Sequence, residues 1–182
     1  IYMPWLMSRF KKLGGEIKIM KIENLDSVST EVIVNCCGLG ANELCNDKTV
    51  VPVRGQIIYI KQDPGFGRFD QKPDTLTYTI PRRDVTVLGG TAQVGDWTME
   101  TRDEDTQLIL EKCEALWPEL DRTKIVGHGV GLRPSRDEVR LESEIKNKQL
   151  IIHNYGHGGA GVTLSWGCAD EVVRLIDLNM RT

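Results

Sequence analysis

The sequence predicts a mixed α/β (α+β) fold in which two strand-turn-helix pieces flank an inserted antiparallel section, and three observations carry that prediction. Val32-Ile33-Val34 is apolar on both faces and runs into the glycine-containing turn Asn35-Cys36-Cys37-Gly38-Leu39-Gly40 ahead of a short helix around residues 41–45, the pattern of a buried parallel strand. The same order returns at the other end, with an apolar strand at Leu150 to His153, a glycine loop at Gly156 to Gly161 and a helix at Val162 to Leu178. Between them lie strands of mixed polarity separated by Pro, Gly and Asp turns, which is how an antiparallel sheet reads.

Taken in order, Tyr2, Leu6, Phe10 and Leu13 recur at helical spacing and Gly14-Gly15 ends them, so residues 1–13 are expected to form an amphipathic helix. Glu16 to Lys21 alternates like a strand. In the middle section, strands are expected at Gln56 to Lys61, Thr75 to Ile80, Val85 to Leu88 and Thr91 to Val94. A helix from Asp105 to Trp117 follows, with Leu108, Ile109, Cys113 and Leu116 on its inner face and Pro118 stopping it. Two more strands, Lys124 to Gly129 and Val139 to Leu141, complete the section. No repeat or low-complexity segment interrupts this order.

Composition narrows the function classes. A chain of 182 residues, 40% of them hydrophobic, can bury one core. Its net charge of -3, from 23 basic and 26 acidic residues, offers no basic stripe for a phosphate backbone, so nucleic acid is not an expected partner. No apolar run approaches the roughly 18 residues that a membrane span requires, and no basic segment precedes an apolar one at the start. The first residue is Ile1, already inside a helical pattern, which suggests an upstream portion. Five cysteines without paired spacing (Cys36, Cys37, Cys45, Cys113 and Cys168) suggest reduced, mostly buried thiols rather than a disulfide framework or a metal site.

The densest chemical signal is Ile151-Ile152-His153-Asn154-Tyr155-Gly156-His157-Gly158-Gly159-Ala160-Gly161-Val162-Thr163. Glycine lets backbone approach a flat or charged ligand closely, and a helix N-terminus presents unpaired N–H groups with a partial positive charge. By itself such a segment serves equally well as a tight structural connection. Continued through Leu164-Ser165-Trp166-Gly167-Cys168-Ala169, however, it resembles the signature of the D-amino acid oxidase family, which includes the D-aspartate oxidases. Three further stretches resemble the family in the same order. Val34-Asn35-Cys36-Cys37-Gly38 is similar to the strand and turn packed along FAD, and Val53-Arg54-Gly55-Gln56-Ile57 to the start of the substrate domain. Gly131-Leu132-Arg133-Pro134, with Arg140-Leu141, is similar to the arginine motif. The likeness covers nearly the whole chain but only about the C-terminal half of a family member.

The resemblance implies an FAD-binding Rossmann-like domain contributed by residues 1–50 and 147–182, with a substrate-binding antiparallel domain inserted at 51–146. It implies that Arg133 binds the substrate carboxylate, that Tyr78 assists it and that the Gly159 carbonyl accepts from the substrate amine. It also implies that Cys37, Gly38, Arg133, Gly158, Gly159, Gly161, Val162 and Thr163 lie against the flavin. A guanidinium suits the first role because its paired N–H donors match a carboxylate. His153 and His157 are read as structural, and no catalytic base is assigned. The implied reaction is FAD-dependent oxidative deamination of a D-amino acid. Hydride passes from the substrate Cα to flavin N5, the imino acid hydrolyses to a 2-oxo acid and ammonia, and dioxygen is reduced to hydrogen peroxide.

Two alternatives stand beside this reading. Gly90-Thr91, Gly95-Asp96-Trp97 and Leu132 resemble the D-aspartate oxidases, whereas Gly158-Gly159 and His153-Asn154 resemble the D-amino acid oxidases. An acidic substrate would require a second cation, for which Arg68 and Lys72 are the candidates, although Gln71 falls at the matching spacing and Asp74 nearby is anionic. Asp74 also stands where relatives carry a lid tyrosine. The second alternative is a non-catalytic module, because the resemblance implies that the N-terminal portion carrying the pyrophosphate-binding G-x-G-x-x-G turn is absent. Family resemblance implies a peroxisomal location, while the terminal Asn179-Met180-Arg181-Thr182 is no peroxisomal tripeptide, so either the C-terminus is cut short or the protein stays in the cytoplasm. A homodimer is compatible with the family.

Overall fold

The structure, a computed structural model, describes residues 1–70 and 76–180. Gln71, Lys72, Asp74 and the start of the strand expected at Thr75 therefore lie outside the described residues.

Helix α1 (Tyr2–Lys12) forms as its periodicity predicts and closes on Gly14, whose φ of 89° and N–H bond to the Lys11 carbonyl give it a glycine terminus. None of its residues is buried. The strand expected at residues 16–21 is not formed: alternation alone makes no strand without a ladder to join, and Ile19 is fully exposed. Strand β1 (Val32–Asn35) and helix α2 (Ala41–Leu44) appear where expected. They are followed by β2 (Val51–Ile60), β3 (Arg68–Phe69), β4 (Tyr78–Pro81), β5 (Thr86–Gly89) and β6 (Gln93–Val94). Then come α3 (Asp103–Leu116), β7 (Ile125–Lys146), β8 (Gln149–His157) and α4 (Gly161–Met180).

The strands join in one sheet ordered β1-β8-β7-β2-β5-β4-β3, with β6 added to β2. Only β1 and β8 are parallel, as their all-apolar character predicts. The two strands expected at 124–129 and 139–141 are instead one, β7, which pairs first with β2 and then with β8. Its register slips between Ser135 and Arg140, and that irregularity absorbs the polar stretch which had read as a break.

The main core lies between the sheet and α3. Ile58, Ile60 and Leu88 pack against Ile109, Leu110, Cys113 and Trp117. The inner face of α3 is thus shifted from the expected one: Leu110 is buried and Leu108 exposed, because β2 and β5 meet the helix from the Leu110 side. Three acidic residues in its first turn complement the helix dipole, and Trp117 is the last residue before Pro118 breaks the ladder. All five thiols are free, but only Cys113 is buried. Cys37, Cys45 and Cys168 are half-buried and Cys36 is exposed, short of the mostly buried expectation.

Candidate active site

The parallel pairing of β1 and β8, from Val32 opposite Leu150 to Asn35 opposite His153, makes both chains leave the sheet at the same end. Each turns on a glycine with φ of 56°, Gly38 and Gly158, passes through one 3-10 turn and enters a helix. That left-handed conformation is what glycine adopts without penalty. The two turns clasp the same part of β7. A Cβ on Gly38 would lie 3.6 Å from the Pro134 ring, one on Gly158 3.4 Å from Ser135 Oγ, and one on Gly159 3.5 Å from Arg133 Cδ. Gly161, Val162 and Thr163 open the 20-residue helix α4, so their N–H groups have no partner within it.

The first turn is fixed from below. Asn35 Oδ1 accepts from the Cys37 N–H at 3.2 Å, while Asn35 Nδ2 donates to Cys45 Sγ at 3.0 Å and stands 3.1 Å from His153 Nδ1. The amide being the donor, His153 Nδ1 accepts, and burial lowers the pKa of this ring while Glu144 opposes that shift. His153 Nε2 lies 3.3 Å from Glu144 Oε1 without the alignment of a hydrogen bond. His157 meets Cys168 Sγ at 3.3 Å. Neither His153 nor His157 lines the hollow described next.

Arg133 and Tyr78 do come together. With Gly55, Ile57, Tyr59, Gly129 and Gly131 they line a hollow of about 340 Å³ on the face of the sheet opposite α3. Strand register explains the grouping: Arg133 pairs with Val53, Gly131 with Gly55, Gly129 with Ile57, and Gly89 with both Ile57 and Tyr78, so all share one face. The glycines leave space that side chains occupy by lying flat. A Cβ on Gly55 would collide with the Arg133 guanidinium, and one on Gly89 with the Tyr78 ring. Nη1 of Arg133 donates to the Thr91 carbonyl at 3.2 Å and to the Val53 carbonyl at 3.5 Å, which orients the fork while leaving its other N–H groups available. Burial raises the Tyr78 pKa and the Arg133 charge opposes the rise, so the phenol remains a neutral donor at physiological pH.

Gly159 borders this hollow through the stem of Arg133 but is not among the residues lining it. Cys37 lines a separate, larger hollow of about 660 Å³ beside β1, together with Asn35, Cys36 and Gly40. Arg68 turns elsewhere: Nη1 donates to the Pro64 carbonyl and the guanidinium lies over the rings of Phe66 and Trp117. Among the described residues lining the hollow, Arg133 is therefore the single cation. Sequence reasoning missed Tyr59 and the glycine floor; only the period-2 spacing of Gly127, Gly129 and Gly131 on β7 could have marked them.

Comparison with known proteins places this geometry. The chain is 43% identical over 180 residues to a D-amino-acid oxidase of Rubrobacter xylanophilus, an alignment covering 96% of this chain and 55% of that protein. It is 39% identical to the D-aspartate oxidase of Homo sapiens, covering 96% of this chain and 53% of that one. The chain thus spans about half the length of the curated relatives it matches. Among solved structures, glycine oxidase from Bacillus cereus superposes with a TM-score of 0.71 at 21% identity, over 82% of this chain and 43% of that one, which establishes a shared fold. The sequence profile described as FAD dependent oxidoreductase matches residues 1–175, and to that family this chain belongs.

Proposed function

We propose that this chain forms the substrate side and part of the flavin side of an enzyme that oxidises D-amino acids with neutral side chains, using FAD and dioxygen. The observation that carries the reading is that Arg133 and Tyr78 line one glycine-floored hollow, with Gly159 at its border against the stem of Arg133. Arg133 holds the substrate carboxylate through the N–H groups left free by Thr91 and Val53, and the Tyr78 hydroxyl donates to the same carboxylate. The Gly159 carbonyl accepts from the amine. Together these contacts fix the orientation of the Cα–H bond.

The residues present fit one end of FAD. Two glycine turns without side chains and the exposed N–H groups of Gly161, Val162 and Thr163 suit a flat ring with an electron-rich edge, and the dipole of α4 favours negative charge there. Cys37, Gly38 and Gly158 would border the same group. Gly156, Gly158 and Gly161 have the G-x-G-x-x-G spacing between β8 and α4, and in this reading that turn borders the flavin ring rather than a pyrophosphate. Bound FAD supplies the acceptor for the Cα hydride and passes the electrons to dioxygen, giving hydrogen peroxide. The imino acid product hydrolyses to a 2-oxo acid and ammonia.

In this reading residues 1–50 and 147–182 belong to the cofactor domain and 51–146 to the substrate domain, with β7 carrying the sheet from one to the other. Location in the peroxisome or the cytoplasm and assembly as a homodimer are further parts of the proposal, drawn from resemblance. A D-aspartate oxidase would need a second cation in the hollow, and Arg133 is the one cation among the described lining residues, which favours neutral substrates. The test is anaerobic addition of D-alanine, L-alanine or D-aspartate to the FAD-loaded full chain. Bleaching of the flavin bands by D-alanine alone is expected, and Arg133→Met should weaken that response by roughly 100-fold, the worth of a charge-assisted contact of about 3 kcal/mol. Bleaching by D-aspartate in preference to D-alanine would overturn the substrate class, and no bleaching by any D-amino acid would overturn the reaction.

A further inference from the structure

We infer that Tyr59 is the end wall of the hollow and sets the length of the substrate side chain, restricting it to about one or two heavy atoms beyond Cα. The inference deepens the proposed function and rests on its placement of the carboxylate at Arg133.

The strand geometry supplies the argument. Arg133, Gly131 and Gly129 are successive residues on one face of β7, each about 7 Å from the next. Arg133 leans over Gly55, which is opposite Gly131, so its guanidinium lies nearer the middle of the hollow than its own Cα. Tyr59 leans the other way. Its Cδ2 is 3.9 Å from a Cβ built on Gly127 and its hydroxyl 3.0 Å from one built on Gly129, so the ring lies along β7 and points toward Arg133. A Cβ on Gly131, between the two, meets nothing within 4 Å: that is the vacant floor.

The guanidinium and the Tyr59 hydroxyl are thus separated by about one same-face step and one strand spacing, roughly 8 Å. A carboxylate seated on Arg133, its Cα and a van der Waals contact at the far end occupy most of that span. What remains accommodates a methyl or a hydroxymethyl. Ile57 forms the lower wall, and no charged side chain faces the tip among the described lining residues. The Tyr59 hydroxyl has no hydrogen-bonding partner among the described residues that would turn it away, so it is free to meet a short polar tip such as a hydroxyl.

The decisive measurement is a ladder of unbranched carboxylates, acetate to octanoate, titrated calorimetrically into the FAD-loaded full chain. Affinity should rise roughly fourfold per methylene while carbon is being buried, and then stop or reverse near propanoate or butanoate. In Tyr59→Ala the optimum should move two or three carbons longer, and in Tyr59→Leu by one or two, whereas Tyr59→Phe, which keeps the wall, should leave it in place. Substrate turnover should follow, with the ratio of kcat/KM for D-norleucine over D-alanine rising at least tenfold in Tyr59→Ala. A ladder that keeps rising to octanoate in the native protein, or an optimum unmoved in both Tyr59→Ala and Tyr59→Leu, overturns the inference while leaving the carboxylate site intact. Carboxylate binding that survives Arg133→Met unchanged would instead overturn the underlying reading, and this inference with it.

Discussion

Along β2 the side chains of Arg54, Gln56, Ile58 and Ile60 turn toward α3, whereas Gly55, Ile57 and Tyr59 turn toward the hollow, so one strand serves two surfaces of opposite construction. On the α3 side these four side chains of β2 are buried and the two polar ones are bonded. Arg54 is fully buried, its Nε donates to the Thr98 carbonyl, and its terminal nitrogens reach Asp105, Gln93, Gln56 and the Glu100 carbonyl. Gln56 in turn fastens the start of α3 through the Arg102 backbone and the Thr106 hydroxyl. On the other side, glycines leave space and the remaining polar groups keep unused bonding capacity. The packed face fixes where the backbone lies. The bare face can then hold Arg133 in place with two carbonyl contacts, since the strands beneath it do not move.

Breaking the packed face should give the largest effect. Asp105→Ala removes the carboxylate that accepts from Arg54 Nη1 and Gln93 Nε2, leaving a guanidinium at zero exposure without its counter-charge. The expected loss is about 3–5 kcal/mol of folding stability, read from urea denaturation followed by circular dichroism. Asp105→Asn, which keeps an acceptor of the same shape, should lose less. A denaturation midpoint unchanged in Asp105→Ala would show that the network does not hold the frame.

The bare face should respond in the opposite sense. In Gly55→Ala the added methyl meets the far end of the Arg133 side chain, which can swing aside, so stability should change by less than about 1 kcal/mol. The displaced fork loses its aim, and acetate affinity should fall roughly 10- to 100-fold, the worth of one or two charged hydrogen bonds. A variant that binds acetate normally would mean that the resting position of the guanidinium in the structure is not its working position.

This division also explains what could be read from the residues alone. The apolar run Val32-Ile33-Val34, the helix periodicity near residue 109 and the glycine loop before α4 each carry their own local pattern, and each forms its expected element. Arg133 and Tyr78 were legible through resemblance. Tyr59 was not, because its role depends on the register of β2 against β7, and a shift of one residue would turn it to the packed side. The continuous β7 and the absent strand at residues 16–21 were missed for a related reason: strands depend on partners, which a single segment does not reveal.

Asp47 belongs to neither face, and perturbing it should give the smallest effect. It lies where β7 passes from pairing with β2 to pairing with β8, and it accepts from Arg136 Nε and from the Tyr155 hydroxyl, each at 3.0 Å. Burial alone would raise its pKa, but hydrogen bonds from the Thr49 side chain and backbone, the Tyr155 contact and the Arg136 charge outweigh it and bring the value down to about 2. A carboxyl that releases its proton more readily when folded stabilises the protein above its unfolded value near 3.8, and that contribution disappears as pH falls toward 2. The Asp96 carboxyl, also brought down to about 2, titrates in the same window, and that of Asp121 is lowered as well, so the difference between native protein and Asp47→Asn is the informative quantity. Urea midpoints of the two should differ most at pH 5 and converge by pH 2. Acetate affinity at pH 7 should be nearly the same in both, because the junction holds β7 to β8 without touching the Arg133 fork. If Asp47→Asn weakens acetate binding as much as Gly55→Ala, the aim of Arg133 is set at the register slip as well as by the glycine floor.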